Sequence, residues 1–192
     1  MTEPQHPRVH KIDARSLRAL AHPLRIQLLD ALRFSGSATA SQLAEKLGES
    51  SGATSYHLRQ LAEYGFIEDD PEQGKGRERW WKATHTGLQF DDDLLTDADP
   101  AVRGAADLYM HEIATNHTRD LSTWLGNRAS WSEEWNRTWD MSSWTLRLTP
   151  EQTQELIADI HRVYEKYTNR AAAEDTPGTQ QIRAHNHIFP LT

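Results

Sequence analysis

Between Thr39 and Gly65 the chain is punctuated at three points, leaving room for a short helix, a tight turn and a longer helix, in that order. Thr39 followed three residues later by Gln42 has the spacing of a capping box, in which each side chain satisfies a backbone N–H of the other. The helix it opens carries Leu43, Ala44 and Leu47 and stops at Gly48, a residue free to take left-handed dihedrals. Ser50 or Ser51 then caps a second helix running to about Tyr64, and Gly65 ends it. Thr54, Leu58 and Leu61 recur at i, i+4 and i+7, which predicts the face turned inward. A short helix bracing a longer one across such a turn is the geometry that presents the second helix to the major groove of duplex DNA.

The flanks extend the pattern. Asp13 is placed to cap a short helix through Leu20, and Pro23 suits the first turn of the next, where its missing N–H costs nothing. In that helix Leu24, Ile26, Leu28, Leu29, Ala31 and Leu32 form a broad apolar stripe, read as core. Downstream, Phe66 to Asp70 and Arg77 to Thr84 have strand character and are separated by Pro71, Gly74 and Gly76, which predicts a β-hairpin.

With Leu58 and Leu61 inward, Ser51, Ser55, Tyr56, His57 and Arg59 fall on the outer side of the longer helix or its margins, and all can hydrogen-bond. Arg59 can pair with guanine O6 and N7 or with a phosphate, while Ser55, Tyr56 and His57 suit phosphates or base edges. On the hairpin, Lys75 and Arg77 flank the glycine-rich tip and Arg79 starts the returning strand. Such cations supply salt-sensitive affinity for the duplex. The candidate DNA-contacting set is therefore Ser51, Thr54, Ser55, Tyr56, His57, Arg59, Lys75, Arg77 and Arg79. The same pattern serves in winged helices that bind proteins rather than DNA, so an interaction module without DNA affinity stays open.

Three segments together, LRALAHPLRIQLLDAL (17–32), ASQLAEKLGESSGATSYHLRQLAEYGFIEDD (40–70) and GKGRERWWKAT (74–84), resemble the ArsR-type winged helix-turn-helix regulators over roughly the first 85 residues. The resemblance implies a dimeric, repressor-like DNA reader whose recognition helix carries Ser55, Tyr56, His57 and Arg59. It departs from the metal-sensing branch of that family: the chain has no cysteine, which removes thiolate metal sites along with disulfides and thiolate catalysis.

The second half reads differently. Asp91 to Asp99 is acidic and ends in Pro100, a candidate boundary between a DNA-binding domain over 1–90 and a dimerisation and effector-binding region over 100–192. From Ala101 to about Leu125 one long helix is predicted, with Val102, Ala106, Tyr109, Ile113, His117, Leu121 and Trp124 along one face. Val102, Ala106, Tyr109 and Ile113 are read as a homodimer seam, the alternative being that the stripe packs on its own domain. Ser142 to Thr149 is expected as a strand, Pro150 to about Arg170 as a helix and Ile182 to Phe189 as a last strand, making this an α/β unit. Five of the seven tryptophans, Trp124, Trp131, Trp135, Trp139 and Trp144, fall between residues 124 and 144. Such a cluster fills a core or walls a pocket for an apolar or aromatic small molecule, with Trp124, Trp131, Trp135 and Trp139 as the candidate ligand-binding set. Trp131, Trp135 and Trp139 share a face if Ser130 and Glu133 open a helix there.

The fold class is thus mainly α with small β. A net charge of −7 argues at first against nucleic acid, but residues 1–90 net +1 and residues 91–192 net −8, so the acidity lies away from the candidate DNA reader. No run of apolar residues is long enough to span a membrane and the first ten residues are polar, so a cytoplasmic protein is expected. Asp107 with His111, and His185 with His187, are too few ligands to define a metal site. No nucleophile–base pair or phosphate loop has recognisable context, and neither enzyme activity nor a cofactor is expected. The expected partners are double-stranded DNA, a second copy of the chain and a small-molecule effector.

Overall fold

The computed structural model describes residues 9–73, 78–85, 87–171 and 176–191. The chain divides into two compact units, residues 1–125 and residues 126–192. It is mainly helical, with two small sheets in the first unit.

The first unit runs β1 (Val9–Lys11), α1 (Ala14–Leu20), α2 (Pro23–Ser35), β2 (Ala38–Thr39), α3 (Ala40–Leu47), α4 (Ser51–Glu63), β3 (Ile67–Asp69), β4 (Trp80–Ala83), β5 (Gly87–Gln89) and most of α5 (Pro100–Asn127). Short-range chemistry starts these helices where the sequence places their caps. The Asp13 carboxylate accepts from the Ser16 N–H at 2.7 Å, and Thr39 with Gln42 completes its capping box, Oγ1 accepting at 3.3 Å and Oε1 at 2.9 Å. Each such cap is worth about 1 kcal/mol. The apolar stripe of α2 meets α1, α3, α4 and the sheet in one core, where Leu17, Leu20, Leu28, Leu58 and Leu61 are fully buried. Burial of a side chain of this size contributes roughly 1.5–3 kcal/mol.

The predicted hairpin forms, with Ile67 opposite Ala83 and Asp69 opposite Trp81 in antiparallel register. Two features of the sheets go beyond the sequence reading. The two-residue β2 adds to the other edge of β4, pairing Ala38 with Trp81, and β1 lies parallel to β5, pairing Val9 with Gly87. Segments of two or three residues carry too little periodicity to be read as strands.

The long helix α5 corrects two expectations. Val102, Ala106 and Tyr109, assigned to a dimer seam, are buried in the core of their own unit, with Ile113 packed against it. Tyr109 stacks on Phe90 at 5.7 Å between ring centres, and burial pushes its phenol pKa up to about 12. Glu112 accepts from Gln27 at 3.2 Å and Asn116 donates to Asp30 at 3.4 Å, which ties the same face to α2. The acidic stretch does not end the first unit either, since Asp92–Leu95 forms a 3₁₀ turn that buries Leu94. An apolar stripe that finds its cover within the chain extends the first unit to residue 125, beyond the boundary placed at 91–99.

The second unit holds the end of α5, two 3₁₀ turns (Arg128–Ser130 and Trp135–Arg137) and α6 (Pro150–Thr168), which opens with a Thr149–Gln152 capping box. The expected strands over Ser142–Thr149 and Ile182–Phe189 do not form, and among the described residues of this unit there is no strand. A strand needs a neighbouring backbone to satisfy its N–H and C=O groups. Trp144 at 82% exposure and Phe189 at 68% lie open instead. The helix that would align Trp131, Trp135 and Trp139 is also absent, replaced by the separate turns, and no described residue of the unit is buried.

Candidate nucleic-acid interface

The turn between α3 and α4 is set by Gly48, whose φ of 70° and ψ of 30° lie in the left-handed region, with its N–H directed to the carbonyls of Ala44 and Glu45. Ser50 then starts α4, its hydroxyl accepting from the Ala53 N–H at 3.2 Å. Leu58 and Leu61 anchor α4 from beneath, and this fixes which residues it offers to solvent.

Ser51, Tyr56 and Arg59 are exposed and Ser55 is half-buried. The Arg59 Nε donates to the Ser55 carbonyl at 3.1 Å, which lays the stem along the helix surface. Between Ser51 and Gln60 the helix carries no acidic residue.

Two members of the expected contact set are withdrawn from this surface. Thr54 is fully buried, and its hydroxyl has no hydrogen-bond partner among the described residues, so it supports the helix and cannot reach a base. His57 is half-buried with its ring 4.3 Å from that of His22, and its Nδ1 lacks a partner among the described residues. Burial, with neighbouring His22 and Arg25, holds the His57 pKa below the ordinary histidine value. His57 is therefore a packing residue on the back of the helix.

On the hairpin, Arg79 pairs through Nε with Asp69 across the strands at 3.1 Å and lies over the Trp81 ring at 4.1 Å, which braces the base of the wing. Both contacts hold the guanidinium against the hairpin itself. The Ser41 hydroxyl donates to Glu78 at 2.7 Å, linking α3 to the same base. Lys75 and Arg77 fall outside the described residues.

His22 is the residue that sequence reasoning missed. Its Nδ1 accepts from the Leu24 N–H at 3.2 Å, capping α2 while its ring meets His57 of α4. The signal was its position just before Pro23, since a residue there is held extended and is free to cap.

Of the candidate ligand set, Trp124 and Trp135 are half-buried, Trp131 is 38% exposed and Trp139 is 45% exposed beneath the Arg128 guanidinium. A surface cleft of about 210 Å³ lies elsewhere, among His10, Asp13, Arg15, Ser16, Glu63 and Tyr64. Among the described residues no three histidine or carboxylate side chains come together as a metal site, and no helix is long and apolar enough to cross a membrane.

The model of a helix-turn-helix domain family matches residues 20–70, the stretch that contains α2, α3, α4 and β3. A search of the curated proteins gives no match. Among solved structures the chain is similar to reduced HlyU from Vibrio cholerae (20% identity over 48% of this chain and 78% of that one, TM-score 0.31). It is similar also to a possible transcriptional regulator for arsenical resistance (24% identity, 64% and 99% covered, TM-score 0.32). A third is a MarR family regulator from Neisseria meningitidis (17% identity, 77% and 76% covered, TM-score 0.32). The family model's match over residues 20–70, the left-handed turn at Gly48 and the β3–β4 hairpin together show a helix-turn-helix followed by a hairpin in the first unit.

Proposed function

We propose that the protein is a DNA-binding transcription regulator that acts as a repressor-like homodimer, with α4 as its recognition helix and the β3–β4 hairpin as its wing. The observation that carries this reading is the outer face of α4, where Ser51, Tyr56 and Arg59 stand exposed on a helix free of carboxylates from Ser51 to Gln60. A phosphate backbone approaching that face meets donors and one cation and no opposing charge. A winged helix that served only to bind protein has no need of such a face, and apolar anchors would be expected on it instead. Two copies follow from the small footprint of one recognition helix, because half-sites a helical turn apart call for two-fold symmetry. Reading an operator places the protein in the cytoplasm.

The test is a gel shift of the full-length protein on the region upstream of its own gene, across a salt series. A specific shift that weakens steeply with salt supports DNA reading. No shift at micromolar protein and low salt, on that region or on random duplex, would refute it.

A further inference from the structure

We infer that Gly52 is the point of closest approach between α4 and the duplex, and that the missing side chain there sets how deeply Tyr56 and Arg59 reach toward base edges. The inference rests on the DNA reading proposed above and adds to it a residue outside the contact set expected from the sequence.

The first ground is that the fold makes no use of this glycine. Gly36, Gly48 and Gly65 have φ between 70° and 78°, values that a side chain would strain. Gly52 instead lies in the first turn of α4 at helical dihedrals, and a Cβ there would meet no described residue within 4 Å. A helix tolerates glycine less well than any residue but proline, because fixing its backbone costs the most entropy. A cost with no return in packing is expected at positions that serve function. Gly104 in α5 shares both properties, so the cost alone does not mark a contact. What singles out Gly52 is its place on α4.

The second ground is that place. Gly52, Tyr56, Arg59 and Glu63 recur at i, i+4, i+7 and i+11, and all four are exposed. At about 100° per residue they fall within a sector of roughly 60°, opposite the fully buried Thr54, Leu58 and Leu61. Ser55 flanks this stripe on one side and Gln60 on the other, so the glycine stands at its head, one turn before Tyr56 and two before Arg59. The stripe is polarised along its length. Its donors follow the glycine, and its one carboxylate, Glu63, comes about 16 Å further along the axis. There it accepts from Gln60 at 3.2 Å. Phosphates repel that end and leave the glycine end to enter, which is the end by which a helix in the major groove meets bases. A helix with its side chains is about as wide as that groove, so an outward side chain at the leading end limits the depth of entry. Glycine lifts the limit and lets the backbone itself lie against base edges.

Substitutions graded by size test this in the full-length protein. Gly52→Ala should lower affinity for a duplex from the region upstream of its own gene by about tenfold, the worth of one base contact, and Gly52→Leu by more. Affinity for the same duplex with its sequence scrambled, held by phosphates alone, should fall less. The thermal unfolding midpoint of Gly52→Ala should meanwhile rise by about 1–4 °C, since alanine suits a helix better. Gly104→Ala should gain stability in the same way and bind both duplexes as the native chain does. Native affinity in both Gly52 variants, equal loss on the two duplexes, or the same loss in Gly104→Ala overturns the close approach while leaving the DNA reading intact. So does a lowered midpoint in Gly52→Ala, which would return the glycine to the fold. A native chain that binds neither duplex refutes both.

Discussion

The imidazole of His57, on α4, lies 4.3 Å centre to centre from that of His22, the residue whose Nδ1 caps α2. The contact joins α4 to the start of α2 through two titratable rings. Both are held below the ordinary histidine pKa, chiefly by burial, with Arg25 adding repulsion and Glu49 opposing it. A proton on His22 Nδ1 would occupy the lone pair that accepts from Leu24, and a charge on either ring would face the other.

The sign of the pH dependence follows. With folded-state pKa values depressed, the unfolded chain takes up protons before the folded one as pH falls, so stability is fully present above about pH 6.5 and declines below it toward the depressed values. Unfolding midpoints measured from pH 8 to pH 5.5 should show this decline, and His57→Gln should make it shallower. A pH slope unaltered by that change would mean the pair does not titrate between those limits.

Thr54 separates support from contact. Its buried hydroxyl is without a partner among the described residues, so Thr54→Val removes a desolvated polar group at nearly constant shape. Folding should gain about 1 kcal/mol and operator affinity should hold. Chemical denaturation paired with a binding titration checks both, and weaker binding at undiminished stability would return Thr54 to the DNA surface.

The winged domain was legible because its boundaries are local. Asp13, Thr39 with Gln42, Gly48 and Gly65 act within a few residues of themselves, and each lies where the structure uses it. What could not be read depends on partners distant in sequence. Periodicity marks Val102, Ala106 and Tyr109 as a face that must be covered but does not say by what, and the answer, Phe90 and α2, lies in the same chain. The alternation of Trp144, Leu146 and Leu148 marks strand propensity, yet no edge among the described residues of the unit receives it. At the candidate site, spacing put Arg59 and Tyr56 on the outer face of α4, where the structure has both exposed. It could not tell that His57, one position from Tyr56, turns back onto His22.

The two sides of α5 predict unequal costs. Tyr109 is buried against Phe90, whereas Leu108, its neighbour in sequence, is 40% exposed. Tyr109→Ala should destabilise the first unit by about 3–5 kcal/mol, as large aromatic truncations in cores do. Leu108→Ala should stay within about 0.5 kcal/mol, the range of surface changes. Urea denaturation of the two variants decides whether this helix face is core. Equal, small effects, with dimer formation abolished only in Tyr109→Ala, would restore the stripe as a seam.

Arg59 and the wing cations should fail in different ways on DNA. Arg59 is exposed at the outer face of α4, its Nε donating to the Ser55 carbonyl. Arg59→Ala should therefore weaken operator binding by about 1–3 kcal/mol, the worth of a bidentate base contact, and leave circular dichroism unchanged. Lys75 and Arg77, placed by sequence at the hairpin tip, would meet phosphates, and their joint replacement by alanine should weaken operator and scrambled duplex alike. That double change should also flatten the plot of log affinity against log salt by about one unit for each phosphate no longer neutralised. Titrating each variant against both duplexes at several salt concentrations separates the roles. Equal weakening on the two duplexes for Arg59→Ala would demote it to a backbone contact, and a salt slope unmoved by the double change would take the wing out of the interface.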